Sequence, residues 1–187
     1  MKRLFATFLL SSCMAAVCGA ASEEEFARMD KLLTIGGCRI VDFESFLSLL
    51  SPNPDGAYAV TNRQYSPPFV VKARARTDST NIRFYYSSGM IILNWEVTLN
   101  ELRFHNLDTG WAVGIPGKGS VSPMVWHDIV WEVRPSSTRL LVDGEERLNA
   151  LGEYAELKAP IGIGPAQGSM LMLESLTVAP LEAEPAE

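Results

Sequence analysis

Six polar side chains fall in one phase of three successive strand-like segments. They are Arg83 and Tyr85 in Ile82-Arg83-Phe84-Tyr85-Tyr86, Asn94 and Glu96 in the run from Met90 to Val97, and Arg103 and His105 in Glu101-Leu102-Arg103-Phe104-His105. Ile82, Phe84, Ile91, Leu93, Trp95, Leu102 and Phe104 occupy the other phase, and side chains two apart on a strand share a face. If the apolar phase faces a core, the polar set lies together on the opposite side. Guanidinium donors, carboxylate and amide acceptors and a phenol ring form a mixture that hydrogen-bonds sugar hydroxyls and stacks on a sugar ring. The same set also reads as cross-strand charge pairs on a solvated sheet, each contributing roughly 0.2–1 kcal/mol. Trp111, beside Gly110 in a loop, is the expected exposed aromatic platform, whereas Trp95 and Trp131 fall in the core phase.

Glycoside hydrolysis would require two carboxylates roughly 5 to 9.5 Å apart across a cleft, one with a raised pKa. Glu96 and Asp128 are the best pair available; Asp128 and Glu132 are also expected to extend the polar face on another strand. No motif fixes their geometry, so the expectation is a binding module without catalytic residues, a hydrolase using Glu96 and Asp128 being the alternative. His105 and His127 have no third ligand at metal spacing, and neither a metal nor any other cofactor is expected. Gly114-Ile115-Pro116-Gly117-Lys118-Gly119-Ser120 superficially suggests a phosphate loop, but the spacing differs from G-x-x-x-x-G-K-[ST] and no helix follows; it reads as a surface loop.

The elements that would position these residues are strands. Ile129, Trp131 and Val133 alternate with Asp128, Val130 and Glu132 in the stretch that begins at Trp126. Arg139-Leu140-Leu141-Val142 and Glu145-Glu146-Arg147-Leu148 flank Asp143-Gly144, a pair suited to positive φ at both central positions of a tight type I′ hairpin. Val71, Ala73 and Ala75 alternate with Lys72, Arg74 and Arg76, giving one dry face and one charged face. Pro160 to Pro165 is a strand short of side chains, where Gly162 and Gly164 would let a neighbour approach closely. Met170 to Val178 is the last strand. Ahead of these, Ser22-Glu23-Glu24-Glu25 has capping-box spacing and Phe26, Met29 and Leu33 follow at helical intervals, so a short helix is expected within 22–37.

These segments support an all-β, antiparallel jelly-roll β-sandwich over 38–179, with a tail at 180–187 whose Ala, Pro and Glu content suits disorder. Pro68-Phe69-Val70-Val71-Lys72-Ala73 through Thr77-Asp78, Asn94-Trp95-Glu96, Glu101-Leu102-Arg103, Trp126-His127-Asp128-Ile129, Val142-Asp143-Gly144 and Gly162-Ile163-Gly164 together resemble the concanavalin A-like lectin and glucanase jelly roll in its laminin-G-like bacterial form. The resemblance implies two curved sheets, with a concave face that in many relatives binds glycans or holds the glycosidase carboxylates. The E-x-D-x-x-E strand of laminarinase-type glucanases and the cysteine pair of laminin G modules are both absent.

The chain of 187 residues suits one domain, and its formal charge of -6, without a Lys/Arg cluster, argues against nucleic acid as a partner. Lys2 and Arg3, the apolar run Leu4 to Val17 and Gly19-Ala20-Ala21 have the order of a signal peptide over 1–21, too short and serine-interrupted for a membrane span. A secreted or periplasmic/cell-envelope location with a cleaved signal peptide is expected, with lipidation at Cys13 the lesser alternative. Cleavage near Ala20 or Ala21 would remove Cys13 and Cys18 and leave Cys38 alone, a buried inert thiol. The expected partner is a carbohydrate, with a protein surface as the rival.

Overall fold

The computed structural model describes residues 23–52 and 56–181. Fifteen strands follow one another in these segments: Glu24–Glu25 (β1), Leu32–Ile35 (β2), Arg39–Phe43 (β3), Phe46–Leu50 (β4), Tyr58–Thr61 (β5), Phe69–Thr77 (β6), Ile82–Tyr86 (β7) and Gly89–Leu93 (β8). The remainder are Glu101–His105 (β9), Ala112–Pro116 (β10), His127–Val133 (β11), Ser137–Val142 (β12), Glu145–Leu151 (β13), Gly162–Pro165 (β14) and Met170–Pro180 (β15). They form two antiparallel sheets. An eight-stranded sheet runs β13-β12-β11-β6-β15-β4-β3, with β1 paired to β15, and a seven-stranded sheet runs β10-β9-β8-β7-β14-β5-β2.

The alternation seen in the sequence explains why the two sheets stack. In β11, His127, Ile129, Trp131 and Val133 are buried while Asp128, Val130 and Glu132 are not; in β7, Ile82, Phe84 and Tyr86 are buried around Arg83 and Tyr85. Each sheet therefore has one dry face, and burying both faces against each other is the dominant stabilising term. Trp131 joins them: its ring from the eight-stranded sheet meets Phe84 and Tyr86 of the seven-stranded sheet edge-on, at centroid distances of 5.8 and 6.4 Å. Its indole N–H donates to Thr138 Oγ1 at 2.8 Å, so no donor is stranded in the core. Cys38 is buried as expected, and burial pushes its thiol pKa up to about 11.

The hairpin also forms as its sequence requires, with φ of 52° at Asp143 and 79° at Gly144. Asp143 does more than tolerate the turn. Its carboxylate accepts a hydrogen bond from His127 Nδ1 at 2.7 Å and another from the Asp128 N–H at 2.9 Å, tying the turn to β11. His127 Nε2 accepts from the Ser122 N–H at 3.1 Å, so both ring nitrogens serve the fold.

The helix expected within 22–37 is corrected. Residues 24–25 pair with β15 as β1, Met29–Lys31 make a single 3-10 turn, and β2 pairs with β5. Leu32 is buried while Leu33 is exposed, the alternation of a strand. Glu25, the presumed capping glutamate, instead accepts from the N–H groups of Ala27 and Leu176. Two ladders to existing sheet edges outweigh the weak preference of a short isolated helix. The glycine-rich loop is corrected in part, because Ala112–Pro116 pairs with β9 as β10 before the chain turns away. The expected signal segment 1–21 lies outside the described residues. Of the expected tail 180–187, Pro180 ends β15 and residues 182–187 lie outside them.

Candidate functional site

Arg83, Tyr85, Arg103 and His105 do come together, on the outer face of the seven-stranded sheet. Register fixes two cross-strand rows: Arg83–Ile92–Arg103 and Tyr85–Met90–His105. On the other side of β7, Gly162 and Gly164 of β14 stand opposite Tyr85 and Arg83. With no β14 side chain on this face to separate them, Tyr58 of β5 and Tyr85 of β7 lean over it and stack, their ring centroids 3.9 Å apart and 14° from parallel. A Cβ at Gly162 would lie 2.9 Å from Tyr85 Cβ, and one at Gly164 would lie 2.7 Å from Tyr58 Cβ. The stack therefore depends on both glycines.

The two arginines are held differently. Arg83 pairs with Glu96 and donates from Nε to Asn81 Oδ1 at 3.0 Å. Arg103 lays its guanidinium 4.4 Å from the centre of the Trp95 ring, with Nη1 3.5 Å from Glu101 Oε1. Burial raises the Tyr85 phenol above its ordinary range against the pull of Arg83. Burial, with the Arg103 guanidinium adding to it, holds the His105 imidazole below its ordinary value, against a hydrogen bond to the Gly110 backbone. At neutral pH the face thus offers a neutral imidazole, two oriented guanidinia, carboxylates and three aromatic rings.

Three expectations change. Asn94 is not on this face. It sits at φ 54°, 7% exposed, ending β8; its side chain accepts from the Asn100 N–H at 2.7 Å, and its carbonyl accepts from Asn81 Nδ2 at 3.2 Å. Its left-handed backbone breaks the period of two, so Trp95 leaves the core phase and becomes the half-buried ring beneath Arg103. Glu96 lies beyond β8 and reaches the face only through its ion pair with Arg83.

Trp111 is exposed, as expected, but belongs to another surface. It precedes Val113 and Ile115 in the inward phase of β10 and, with Leu148 and Leu151 of β13, lines a 330 Å³ groove where the sheet edges part. Lys118, after β10, contacts β13 through Glu145 at 3.3 Å and through an Arg147 bond to its carbonyl at 3.4 Å.

Glu96 and Asp128 do not face a common cleft. Asp128 stands on the outer face of the eight-stranded sheet against Arg74 at 2.9 Å, whereas Glu96 meets Arg83 on the outer face of the other sheet, with the core between. The carboxylate that does share the candidate face is Glu101, 8% exposed, lying over Gly114, where a Cβ would come within 2.3 Å of Oε1. Counting back by two from Arg103 would have found it. Tyr58 was missed because its strand is short, although the paired glycines signalled a close approach. Among the described residues, no group of three or more His, Cys, Asp or Glu is placed to hold a metal ion, and no helix is long and apolar enough to cross a membrane.

No protein-family model and no curated protein matches the chain. Solved structures do. The carbohydrate-binding module CBM66 from Bacillus subtilis superposes with a TM-score of 0.60 at 10% identity, over 80% of this chain and 95% of that one. A β-1,3-1,4-glucanase (lichenase) from a mouse hindgut metagenome gives 0.62 at 14% identity, over 87% and 100%. An immunostimulatory antigen and pseudo β-1,3-glucanase of Mycobacterium tuberculosis gives 0.62 at 12% identity, over 88% and 100%. At these identities the likeness establishes the fold, and the two stacked antiparallel sheets are those of the concanavalin A-like lectin and glucanase jelly roll.

Proposed function

We propose that the protein is an exported, non-catalytic carbohydrate-binding module that holds a glycan against the outer face of the seven-stranded sheet. The observation that carries this reading is the clustering of Arg83, Arg103 and His105 with the Tyr58–Tyr85 stack and Trp95 on neighbouring strands. Ring faces accept sugar C–H surfaces, and oriented guanidinia donate paired hydrogen bonds to hydroxyls. Fold neighbours that include a carbohydrate-binding module and a glucanase support a glycan as the ligand class, and the leader-like order of residues 1–21 supports export. Separation of Glu96 from Asp128 favours binding over hydrolysis.

A glycan array run beside a reducing-sugar release assay tests this. Binding without release, weakened by Arg103→Ala and Tyr58→Ala, is the expected result. Release abolished by Glu101→Gln or Glu96→Gln would establish a hydrolase instead. Silence in both assays would point to a protein-binding or structural role.

A further inference from the structure

The opposite side of the sandwich carries an apolar cleft with one cation in it. Val41, Ser48, Met172 and Arg76 are cross-strand neighbours on β3, β4, β15 and β6, on the outer face of the eight-stranded sheet. Beside them Phe43 and Phe46 stack with centroids 4.9 Å apart, and Leu50 pairs with Met170. Together these residues line a cleft of 320 Å³. Val41, Phe43 and Leu50 are 51%, 49% and 37% exposed, a concentration of apolar surface in one place that solvated sheet faces do not ordinarily keep.

Among the described residues, Arg76 is the one charged group of that lining. Its neighbour on the same face, Arg74, is paired twice, with Asp128 at 2.9 Å and Glu174 at 2.5 Å. Arg76 has no carboxylate within ion-pair distance among the described residues. Its guanidinium lies 4.7 Å from the Trp126 ring centre and 5.8 Å from that of Phe46, and its Nε donates to Met172 Sδ at 2.9 Å. Rings and a thioether remove water from a cation without neutralising it, so an arriving anion gains a charge-assisted pair that water competes for poorly.

We propose that this cleft is a second binding site, for an amphipathic monocarboxylate. The apolar body lies on Phe43, Phe46 and Leu50, with Met170 and Met172 adapting to its shape, and the carboxylate pairs with the free edge of Arg76. A polyanion is disfavoured, because Asp42, Glu44 and Glu174 line the adjoining cleft that shares Phe43 and Phe46. The site is independent of the glycan reading, since the two faces lie on opposite sides of the core.

Octanoate, octan-1-ol and octylammonium titrated into the full chain by isothermal calorimetry form the test. Expected is one saturable site for octanoate, weakened about tenfold or more for the other two probes and by Arg76→Gln, as the loss of one charged hydrogen-bonded pair implies. Arg76→Lys, which keeps the charge, should retain part of the preference for octanoate, and Phe43→Ser should weaken octanoate binding without inverting that preference. Thermal unfolding of each variant separates lost binding from lost folding. Equal binding of octanoate and octan-1-ol, absence of saturable binding, or binding abolished by Leu151→Ser in the edge groove and untouched by Arg76→Gln would overturn the proposal.

Discussion

Tyr58 and Tyr85 stack at 3.9 Å across a strand that belongs to neither of them. Strands two apart in a sheet lie about 9.5 Å from each other, so such a stack forms only where the intervening strand has no side chains in the way. Gly162→Ala should break it, because the new methyl would sit 2.9 Å from Tyr85 Cβ and 3.1 Å from a Tyr58 ring carbon. A loss of about 1–3 kcal/mol in urea unfolding is expected from overpacking, together with weaker glycan binding. Wild-type stability in this variant would mean that the pair is free to part.

Thr138→Val tests the inter-sheet tryptophan. The substitution keeps the shape but removes the acceptor of the buried Trp131 N–H, 2.8 Å away. Leaving that donor unpaired should cost about 1–3 kcal/mol. Thr138→Ser, which keeps the hydroxyl, should cost less, and equal losses would assign the effect to packing alone.

Asp143 gives the fold an acid-labile contact. Burial works to raise its pKa, but the bonds from His127 and the Asp128 N–H outweigh it, leaving the carboxyl below its ordinary 3.8. A lowered folded pKa adds stability that is present above the unfolded value and is lost as pH falls through the folded one. Unfolding midpoints measured from about pH 5 down to about pH 2 should therefore fall less steeply in Asp143→Asn than in the wild type. Parallel profiles would remove Asp143 from the acid response.

Export predicts a processed N-terminus. Intact mass of protein recovered from its native source should correspond to a chain beginning near residue 22. An intact Met1 would refute cleavage, and a diacylglycerol on Cys13 would make the protein a membrane-anchored one.

Period-two patterning was enough to identify the sandwich, the Trp131 core and the Asp143-Gly144 turn, because each is set by residues adjacent in sequence. It also placed Arg83, Tyr85, Arg103 and His105 on one face. It failed at Asn94, where one left-handed residue shifts the phase and exchanges the expected roles of Asn94 and Trp95. The N-terminal segment was misread because its ladder partners, Val178 and Thr177 for β1 and the whole of β5 for β2, are distant in sequence. Trp111 was correctly expected to be exposed, yet its surface depended on β10, a strand hidden under glycine and proline.

Pairing of Glu24 with Val178 brings the first and last described strands side by side within the eight-stranded sheet. The Arg76 cleft lies toward the other end of β15, where Met172 stands eight residues before Pro180, a distance of ~26 Å along an extended strand. The described chain thus enters β1 and leaves β15 at the same end of the sheet, away from that cleft.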